Sequence, residues 1–454
     1  MSLIVPDFYP YTALHTFFGL RHMFRIEPIS LRFILVIGLI LVLMIPLFSV
    51  MALVQERKRY FDEAVYDVAQ AWSGRQGIAG PMLVVTLADH SAESEGSARR
   101  RDEDLVFMPR QLSLSHATLH ELRSLGIYDI PVFAATVSAT AEFRPVDAGE
   151  LDGTVEQLAL VIGVSDGRGI RDASIRWNNI ELEDLSSSHM NGIGNVIRAE
   201  LESNAIAEGG TATVDLELRG TERFSVLPVG DSTRVSMTSD WPDPGFDGRY
   251  LPDIREINDE GFTASWSTHA LSRGFPAAAT AADLGSALAS IRQVHGRSND
   301  LGYSILTLNT PYRAVERSIK YGVLFIVMTL VSIVCIELVS KVKLHIIQYG
   351  VVGAGLVMFF LTVLSLSEHL GFAMGYGLAA LILAAMIFTY VLIAGRNRIV
   401  AFATGLVLIV LYAALYLIIQ LDEYALLVGT ILLLALLAAL MFATRSIRPS
   451  ISGS

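Results

Sequence analysis

Six long apolar runs constrain this chain more than any other feature of its sequence. A bilayer has a hydrocarbon core about 30 Å thick, which a helix of about 20 residues crosses. Because that core offers no water to backbone N–H and C=O groups, such runs are expected to fold as helices. The sequence therefore predicts six membrane-spanning helices, at Phe33–Val54, Tyr321–Ser340, Ile346–Ser367, Leu370–Ala394, Ile399–Gln420 and Tyr424–Ala443.

The charges beside these runs predict how the chain is oriented in the membrane. Basic residues follow the first, third and fifth C-terminal runs, at Lys341 and Lys343, Arg396 and Arg398, and Arg445 and Arg448. The other two breaks carry Glu368, His369, Asp422 and Glu423 instead. Since Lys and Arg concentrate in cytoplasmic loops, we expect both termini in the cytoplasm and the long central segment outside.

These assignments predict five segments. Residues 1–32 form a cytoplasmic lead, residues 33–54 an anchor helix, and residues 55–318 an external domain. Residues 319–445 form a five-helix transmembrane bundle and residues 446–454 a cytoplasmic tail. The first apolar run and its basic lead are longer than those of a secretory signal peptide, so we interpret the run as an uncleaved anchor.

The external domain has the sequence pattern of a β-rich fold. Apolar and polar residues alternate over Phe133–Phe143, Ala212–Leu218 and Phe262–Trp266, and Met82–Leu87 is continuously apolar. Period two is typical of strands with one buried face. The predicted fold class is therefore an α+β membrane protein with a mostly antiparallel, sandwich-like domain. The remaining predictions there are helices over Arg57–Trp72, Asn195–Ser203 and Ala282–Val294, a turn segment over Ser73–Pro81, and a loop over Asp89–Asp104.

Charge and cysteine content exclude some classes of function. The net charge of −11 divides into −15 for residues 55–318 and +4 for the rest. An acidic domain is not expected to bind nucleic acid or anionic lipid headgroups through bulk charge. The one cysteine, Cys335, lies in a predicted span, so the external domain contains no disulfide. We expect no cofactor.

Two motifs in the external domain resemble catalytic or metal-binding sites. Gly163–Gly167 matches GxSxG around Ser165, but glycine and a β-like stretch follow it, whereas a nucleophile elbow needs a helix there. We favour a turn between strands. His116 and His120 are four residues apart, with Glu121 next to the second rather than the first as HExxH requires. We favour a strand and turn without metal.

Polar residues in the membrane block are the remaining candidates for a site. Charged groups deep in a bilayer are costly and usually functional, but these residues lie near predicted helix ends, where water or headgroups solvate them. An interfacial role is therefore favoured over an ion relay. The candidates are His345, Gln348, Glu368, His369, Asp422 and Glu423. Gly371 and Gly375 form a GxxxG pair, which is typical of close helix packing.

Three ordered stretches of the chain carry a family signature. The first contains Glu56–Tyr60, Trp72–Gln76, Gly80 and Pro81; the second contains Leu218–Gly220, Leu227–Gly230, Ser239–Pro242, Phe246, Gly248 and Gly261–Trp266; the third contains Lys320, Tyr321, Leu344–Tyr349, Leu364–His369 and Leu421–Leu426. Together they resemble the CreD-type inner-membrane proteins, over about Gln55 to Arg445. The chain departs from the family pattern at Ile347, where proline is usual, and at Ser446–Pro449.

The resemblance implies a location and a physiological context. CreD-type proteins are associated with the inner membrane of Gram-negative bacteria, with envelope integrity, and with a two-component regulon linked to the response to β-lactams. No catalytic residues come with the resemblance.

Three hypotheses follow for the function. In the first, a non-enzymatic envelope protein binds a periplasmic protein, lipid or peptidoglycan-related partner through its external domain. In the second, a transporter or lipid-handling protein uses the bundle and the layer of Glu368, His369, Asp422 and Glu423. The third, hydrolysis at Ser165, is the least supported because the motif lacks its structural context.

Overall fold

The computed structural model describes residues 28–88, 103–147, 151, 154–190, 193–287, 299–305, 311–340, 344–395, 397–420 and 425–445. The chain divides into two compact units. The membrane unit comprises Met1–Lys58 and Asn309–Ser454, and the β unit comprises Arg59–Leu308. The limits of the five predicted segments mark where the chain is expected to enter and leave the membrane. These limits stay a prediction.

Nine helices are named here among the described residues. In chain order they are α1 (Pro28–Ala71), α2 (Ala205–Glu208), α3 (Ala270–Arg273), α4 (Pro311–Lys320), α5 (Gly322–Ser340), α6 (Ile346–Leu370), α7 (Phe372–Gly395), α8 (Arg398–Gln420) and α9 (Ala425–Thr444).

The apolar runs form the helices that the sequence predicts. By length and hydropathy α1, α5, α6, α7 and α8 are able to cross a membrane, and Leu426–Phe442 in α9 is a shorter apolar helix. Helix α1 continues from the predicted anchor through the predicted Arg57–Trp72 helix without a break. Gly375 of the GxxxG pair lies against the backbone of Leu366 and Ser367, where a side chain would not fit, so it serves close packing of α7 on α6. Gly371 has open space around its Cα and lies between the two helices with φ +76°, so the packing role predicted for the pair holds for Gly375 only.

The β unit contains seventeen named strands in the described residues. They are β1 (Gln76–Ala88), β2 (Glu103–Phe107), β3 (Gln111–Leu125), β4 (Tyr128–Phe143), β5 (Thr154–Val164), β6 (Ile170–Trp177), β7 (Ile180–Glu181), β8 (Leu185–Met190), β9 (Gly194–Leu201), β10 (Gly210–Thr221), β11 (Arg223–Leu227), β12 (Ser232–Ser239), β13 (Gly245–Gly248), β14 (Ile254–Asn258), β15 (Gly261–His269), β16 (Ala278–Thr280) and β17 (Leu301–Ser304).

These strands form two sheets. One has nine strands in the order β13-β17-β11-β1-β5-β9-β8, with β2 and β16 paired beside β1. The other has eight strands in the order β14-β15-β12-β3-β4-β10-β6-β7. Most neighbours are antiparallel, and the parallel pairs are β1 with β11 and β12 with β3.

One apolar core lies between the two sheets. Strand β3 alternates buried and exposed residues from Gln111 to Leu119, and β12 does so over its whole length. The inward side chains of both sheets, such as Phe133, Phe224 and Trp266, join a single buried cluster. Alternating burial facing a second sheet is the packing of a β-sandwich, so the predicted sandwich-like domain is confirmed.

Some predicted elements differ in the structure. Asn195–Ser203 was expected to be helical, but Gly194–Leu201 is β9, paired on both sides with β5 and β8. Its helix-forming residues are overridden by sheet pairing and by burial of Val196 and Ala199. Within the turn segment predicted over Ser73–Pro81, Gln76 already begins β1.

Several predictions concern residues that the structure does not describe. They are the lead up to residue 27, residues 89–102 of the predicted loop, the tail from residue 446, and residues 288–294 of the helix predicted over Ala282–Val294. Residues 282–287 of that segment are helical, as is residue 281 before it.

The aromatic core gives a stability prediction. Phe133 is fully buried and contacts the Phe224 ring edge to face, with centroids 6.4 Å apart. Phe133→Ala is expected to lower the free energy of unfolding by about 3–5 kcal/mol because it leaves a cavity. Chemical unfolding of the full chain in detergent measures this loss. Leu271→Ala, at an almost fully exposed residue, is the control and should change stability by less than about 0.5 kcal/mol.

Candidate functional site

His345 and Gln348 form the cap of α6. His345 is the N-cap residue, and its Nδ1 accepts a hydrogen bond from the backbone N–H of Ile347, 3.3 Å away. The Gln348 Oε1 accepts from the backbone N–H of His345 at 2.9 Å. This reciprocal capping box satisfies N–H groups that have no partner inside the helix. The N–H that His345 binds belongs to Ile347, where the family usually has proline.

Glu368 lies near the other end of α6, in what we call the Glu368 cluster: Arg57, Tyr312 and Glu368. The Tyr312 hydroxyl donates to Glu368 Oε1 at 3.0 Å. The Nε of Arg57 lies 3.8 Å from the same oxygen, and the Glu368 side chain is 11% exposed. An anion in the last turn of a helix is unfavourable with respect to the helix dipole, so both contacts stabilise it there. The neighbouring His369 is exposed.

The predicted candidates do not form one site. Glu368 follows His345 by twenty-three residues along α6, which corresponds to about 35 Å at helical rise. The candidates therefore lie at opposite ends of α6. Asp422 and Glu423 lie outside the described residues, so their relation to the Glu368 cluster stays a prediction.

Glu337 is a buried carboxylate that was not among the predicted site residues. It is in the last turn of α5, and the Tyr349 hydroxyl donates to its Oε2 at 2.5 Å. Arg317 is a second residue that was not predicted. Its Nη1 donates to the carbonyl oxygen of Ile419 at 3.1 Å and so binds the end of α8. The sequence signal for Glu337 was its charge in an apolar run. Arg317 and Tyr312 gave no comparable signal.

A buried aromatic layer separates the two ends of the bundle. Its rings belong to four helices, and the ring of Tyr412 is 4.5 Å from Phe359 and 4.9 Å from Phe325. Phe359 in turn contacts Phe360 at 5.1 Å and Tyr376 at 5.3 Å. Beside this layer, an apolar groove of about 850 Å³ runs between α7 and α8. Small residues such as Gly377, Ala380 and Gly405 line it.

The Glu368 cluster gives the second stability prediction. Glu368→Ala removes the acceptor of the Tyr312 hydrogen bond and the anion beside Arg57. We expect a loss of about 1.5–3 kcal/mol, the usual value of a hydrogen bond to a charged group, measured by unfolding in detergent. His369→Ala is the matched control, one residue further along α6 and exposed. A Glu368→Ala chain as stable as the His369→Ala chain would contradict a structural role for the cluster.

The two histidines of the external domain lie on β3 and belong to a buried polar cluster. Tyr303 donates to the Thr118 hydroxyl at 2.9 Å, and Thr118 in turn contacts His116 Nε2. The His116 ring stacks on Phe224 with centroids 3.7 Å apart. His120 Nδ1 lies 2.5 Å from Asp240 Oδ1. The expected strand is confirmed for both histidines.

Burial decides the protonation of these groups. Burial, assisted by the nearby His120, lowers the pKa of His116 to about 3. Burial also lowers the pKa of His120, although Asp240 acts in the opposite direction, and it raises the pKa of Tyr303. The buried His116 Nδ1 and His120 Nε2 have no hydrogen-bond partner among the described residues. In the same residues, no group of three or more His, Cys, Asp or Glu side chains is placed to hold a metal ion.

The shifted pKa of His116 predicts acid sensitivity. Below pH 6.5 the unfolded chain binds a proton at residue 116, whereas the folded chain binds it only near pH 3. The free energy of unfolding should therefore decrease as the pH is lowered through this interval, by up to about 1.4 kcal/mol per pH unit. His116→Gln should make unfolding less dependent on pH between pH 7 and pH 4. His269→Gln, at an exposed histidine, should retain the dependence of the parent chain.

The GxSxG segment is part of the junction between α1 and β1. Ser165 Oγ donates to the carbonyl of Arg75 at 2.8 Å and accepts from the N–H of Gly77 at 2.7 Å. The segment continues into a single 3-10 turn and then β6, so the interpretation as a turn between strands is confirmed. Asp166 binds Arg168 and the N–H of Gly74, and these contacts lower its pKa.

The same junction brings together two of the stretches that carry the family signature. The Gln76 amide lies 2.8 Å from Ser73 Oγ and 3.0 Å from the carbonyl of Arg219. The guanidinium groups of Arg123 and Arg219 both stack on the Trp72 ring, 4.5 and 4.3 Å from its centroid. A side chain at Gly220 would meet Phe133 and Gln76. These residues therefore hold the end of α1 to β10.

An open cavity of about 690 Å³ lies on the outer face of the eight-stranded sheet. Alanine and threonine from β3 and β4 form part of its lining, and Arg171, Glu217, Arg219 and Glu260 bring charges to it. Within the described parts of the chain, Arg171, Glu217 and Glu260 make no side-chain hydrogen bond or ion pair. Sequence reasoning missed this cavity because its residues come from strands far apart in the chain.

Comparison with known proteins gives one extensive match. The profile of the family described as "Inner membrane protein CreD" matches residues 28–448. A relative of that name from Escherichia coli (strain K12) is 29% identical over 433 residues, which cover 93% of this chain and 94% of the relative.

Structural comparison gives only partial similarity. Two crystal structures of the M1 zinc metallopeptidase from Deinococcus radiodurans, one of them a substrate-bound point mutant, are 11% identical to this chain with TM-scores of 0.21 and 0.19. Each comparison covers 36% of this chain, and 39% and 38% of the peptidase chains. Similarity at this level carries no argument about function.

Proposed function

Because the chain belongs to the CreD family of inner membrane proteins, we propose that it contributes to cell-envelope integrity by binding an envelope component or partner through its β unit. The observation that carries the proposal is the open cavity on the eight-stranded sheet, with charged side chains that no described residue neutralises. Charged groups placed in a cavity and left without an internal partner are suited to an external one.

The proposed role includes a position across the membrane. Six helices span the inner membrane, both termini are cytoplasmic, and the β unit is periplasmic. The support is the distribution of Lys and Arg, which follow alternate apolar runs of the C-terminal block. The response to envelope stress is the physiological context that the family resemblance suggests.

The proposed role is not catalytic. Ser165 uses its hydroxyl both to donate to and to accept from the backbone, which leaves it poorly placed to act as a nucleophile. His120 faces Asp240 with one ring nitrogen, and its other nitrogen is buried. A general base must reach a substrate within hydrogen-bonding distance, and a buried nitrogen is poorly placed for such a contact.

The bundle is proposed to serve as an anchor. The aromatic layer fills its interior between Glu337 at one end and Glu368 at the other. Aromatic rings packed at 4.5–5.3 Å present an apolar surface to any solute between the two carboxylates, which is unfavourable for a polar one. This packing argues against the hypothesis of a polar pathway past Glu368.

Lipid handling is the second candidate function. The apolar groove of about 850 Å³ between α7 and α8 favours it, since small residues there leave room for an acyl chain. In this case the surface that binds the ligand would be in the bundle rather than in the β unit.

Reversing charge in the cavity tests the first proposal. In a strain that lacks the gene, Arg171→Glu and Glu217→Lys should each fail to restore resistance to detergent stress, because the charge pattern that a partner recognises is changed. Both residues are exposed and unpaired in the described part of the chain, so folding should be retained. Colony counts on detergent plates measure the effect, and immunoblots of membranes check the amount of protein.

Two further variants sharpen this test. Arg255→Glu makes the same change on the exposed strand β14, away from the cavity lining, and should complement fully. Ala380→Phe fills the groove between α7 and α8 and should also complement. If the cavity variants complement and Ala380→Phe does not, lipid handling replaces partner binding as the function.

A further inference from the structure

We propose that the open cavity on the eight-stranded sheet binds an extended peptide of about four residues with free termini, which lies across the strands from β10 to β12. Its carboxylate lies toward Arg171 and Arg219. Its ammonium group lies toward Asp240 and Glu260. The proposal rests on the proposed function, because it names the chemical class of the partner that this cavity binds, and it concerns the β unit alone.

The charged residues of the cavity are divided between its two sides. Glu217 and Arg219 belong to β10, and Arg171 lies beside them at the bulge in β6. On the other side Asp240 follows β12, and Glu260 precedes the neighbouring strand β15. Two cations and one anion therefore lie across the sheet from two anions. A ligand that carries an anion at one end and a cation at the other is complementary to this arrangement.

Contacts within the fold do not cancel these charges. Arg171 and Glu260 make no side-chain hydrogen bond or ion pair within the described parts of the chain. Arg219 stacks on an aromatic ring, which carries no charge. Asp240 contacts His120, whose pKa is lowered by burial, so this partner is a neutral ring at neutral pH. Both sides of the cavity therefore keep charges that are available to a ligand.

Short side chains line the sheet between the two sides. Strand register places Thr136 of β4 beside Ala117 of β3, and Ala117 beside Thr238 of β12. All three residues are exposed, and neither threonine hydroxyl makes a hydrogen bond within the described part of the chain. Short side chains allow a ligand to approach the sheet closely, and a hydroxyl group both donates and accepts, as the N–H and C=O groups of a peptide require.

The strand register also sets the length of the ligand. Arg219 of β10 is aligned with Ala134 of β4, and Ala134 with Leu119 of β3. The register of β3 with β12 continues this row to Asp240. Three strand spacings separate the ends of the row, which is about 14 Å. An extended peptide rises about 3.4 Å per residue, so a peptide of about four residues covers this distance.

Size and charge spacing favour a short peptide over other partners. The cavity volume of about 690 Å³ lies within the range of about 300–1,000 Å³ that is typical of sites for small ligands. A stable protein partner, by contrast, covers about 800 Å² of each surface. A free amino acid carries both of its charges on one carbon atom, so it is too short to reach both sides of the cavity.

A binding experiment on the full chain in a nonionic detergent tests the proposal. The probe is tetraalanine with free termini, compared with its N-acetylated form, its C-terminal amide and the peptide blocked at both ends. Saturation-transfer NMR gives the dissociation constant of each peptide. We expect the unblocked peptide to bind most tightly, and each blocked end to weaken binding by about threefold to fivefold, as for the loss of an exposed ion pair. These differences should become smaller at high salt concentration.

Two variants connect each end of the peptide with one side of the cavity. In Glu260→Gln, the free ammonium group should improve binding less than in the parent chain, whereas the gain from the free carboxylate is unchanged. In Arg171→Gln, the gain from the carboxylate should be reduced and the gain from the ammonium group unchanged. The matched control, Arg255→Gln, neutralises an exposed residue of β14 outside the cavity lining and should bind all the peptides as the parent chain does.

Equal binding of the blocked and unblocked peptides by the parent chain, or no binding of any of them, overturns the proposal. So does binding that Glu260→Gln and Arg171→Gln both leave unchanged, because the peptide then lies outside the cavity. These results reject the peptide but leave the proposed function in place as long as Arg171→Glu fails to complement the deletion strain. Full complementation by the charge-reversed chains counts instead against the proposed function.

Discussion

The structure depends first on the inability of hydrocarbon to hydrogen-bond a peptide group. Each backbone group inside a bilayer must find its partner within the chain, and over a run of about 20 residues a helix provides this. Helix α1 does not stop where its apolar run stops, because its hydrogen-bond ladder continues through Arg57 to Ala71. The segment past the span then presents Phe61, Ala64 and Val65 to the β3–β4 hairpin. One helix thus serves both as a membrane span and as a surface on which strands pack.

The sequence alone predicted the helices and strands that are determined by short-range patterns of residues. The apolar runs gave α5 to α9 to within a few residues, since hydropathy over such a length leaves few alternatives. Alternation gave β4, β10 and β15 for a similar reason. Asn195–Ser203 was assigned wrongly because its residues favour a helix in isolation, and only pairing with β5 and β8 makes them a strand. The parallel pairing of β1 with β11 also joins distant segments, and no short pattern encodes it.

The candidate functional residues were harder to predict from the sequence than the fold was. Charge in the break between two apolar runs identified Glu368, and position near a predicted helix end identified His345. Their roles depend on partners that the sequence does not connect to them: Arg57 and Tyr312 are far from Glu368 in the chain but contact it in the fold. The cavity lined by Arg171 and Glu217 was not predicted, because exposed charges on strands are common and only the assembled sheet shows which of them share a concave surface.

Serine and histidine, which often take part in catalysis, stabilise the fold in this β unit. Other side chains are therefore the better candidates for function. A serine whose hydroxyl both donates to and accepts from the backbone stabilises a junction, and a histidine kept neutral by burial stabilises a core. The serine is poorly placed to react because its hydroxyl is already hydrogen-bonded to the backbone. The histidine is poorly placed to react because its ring is buried. The side chains available to a partner are those that folding leaves without a counterpart. In the described β unit these include the charges of the sheet cavity, which is why we propose binding rather than turnover as the function.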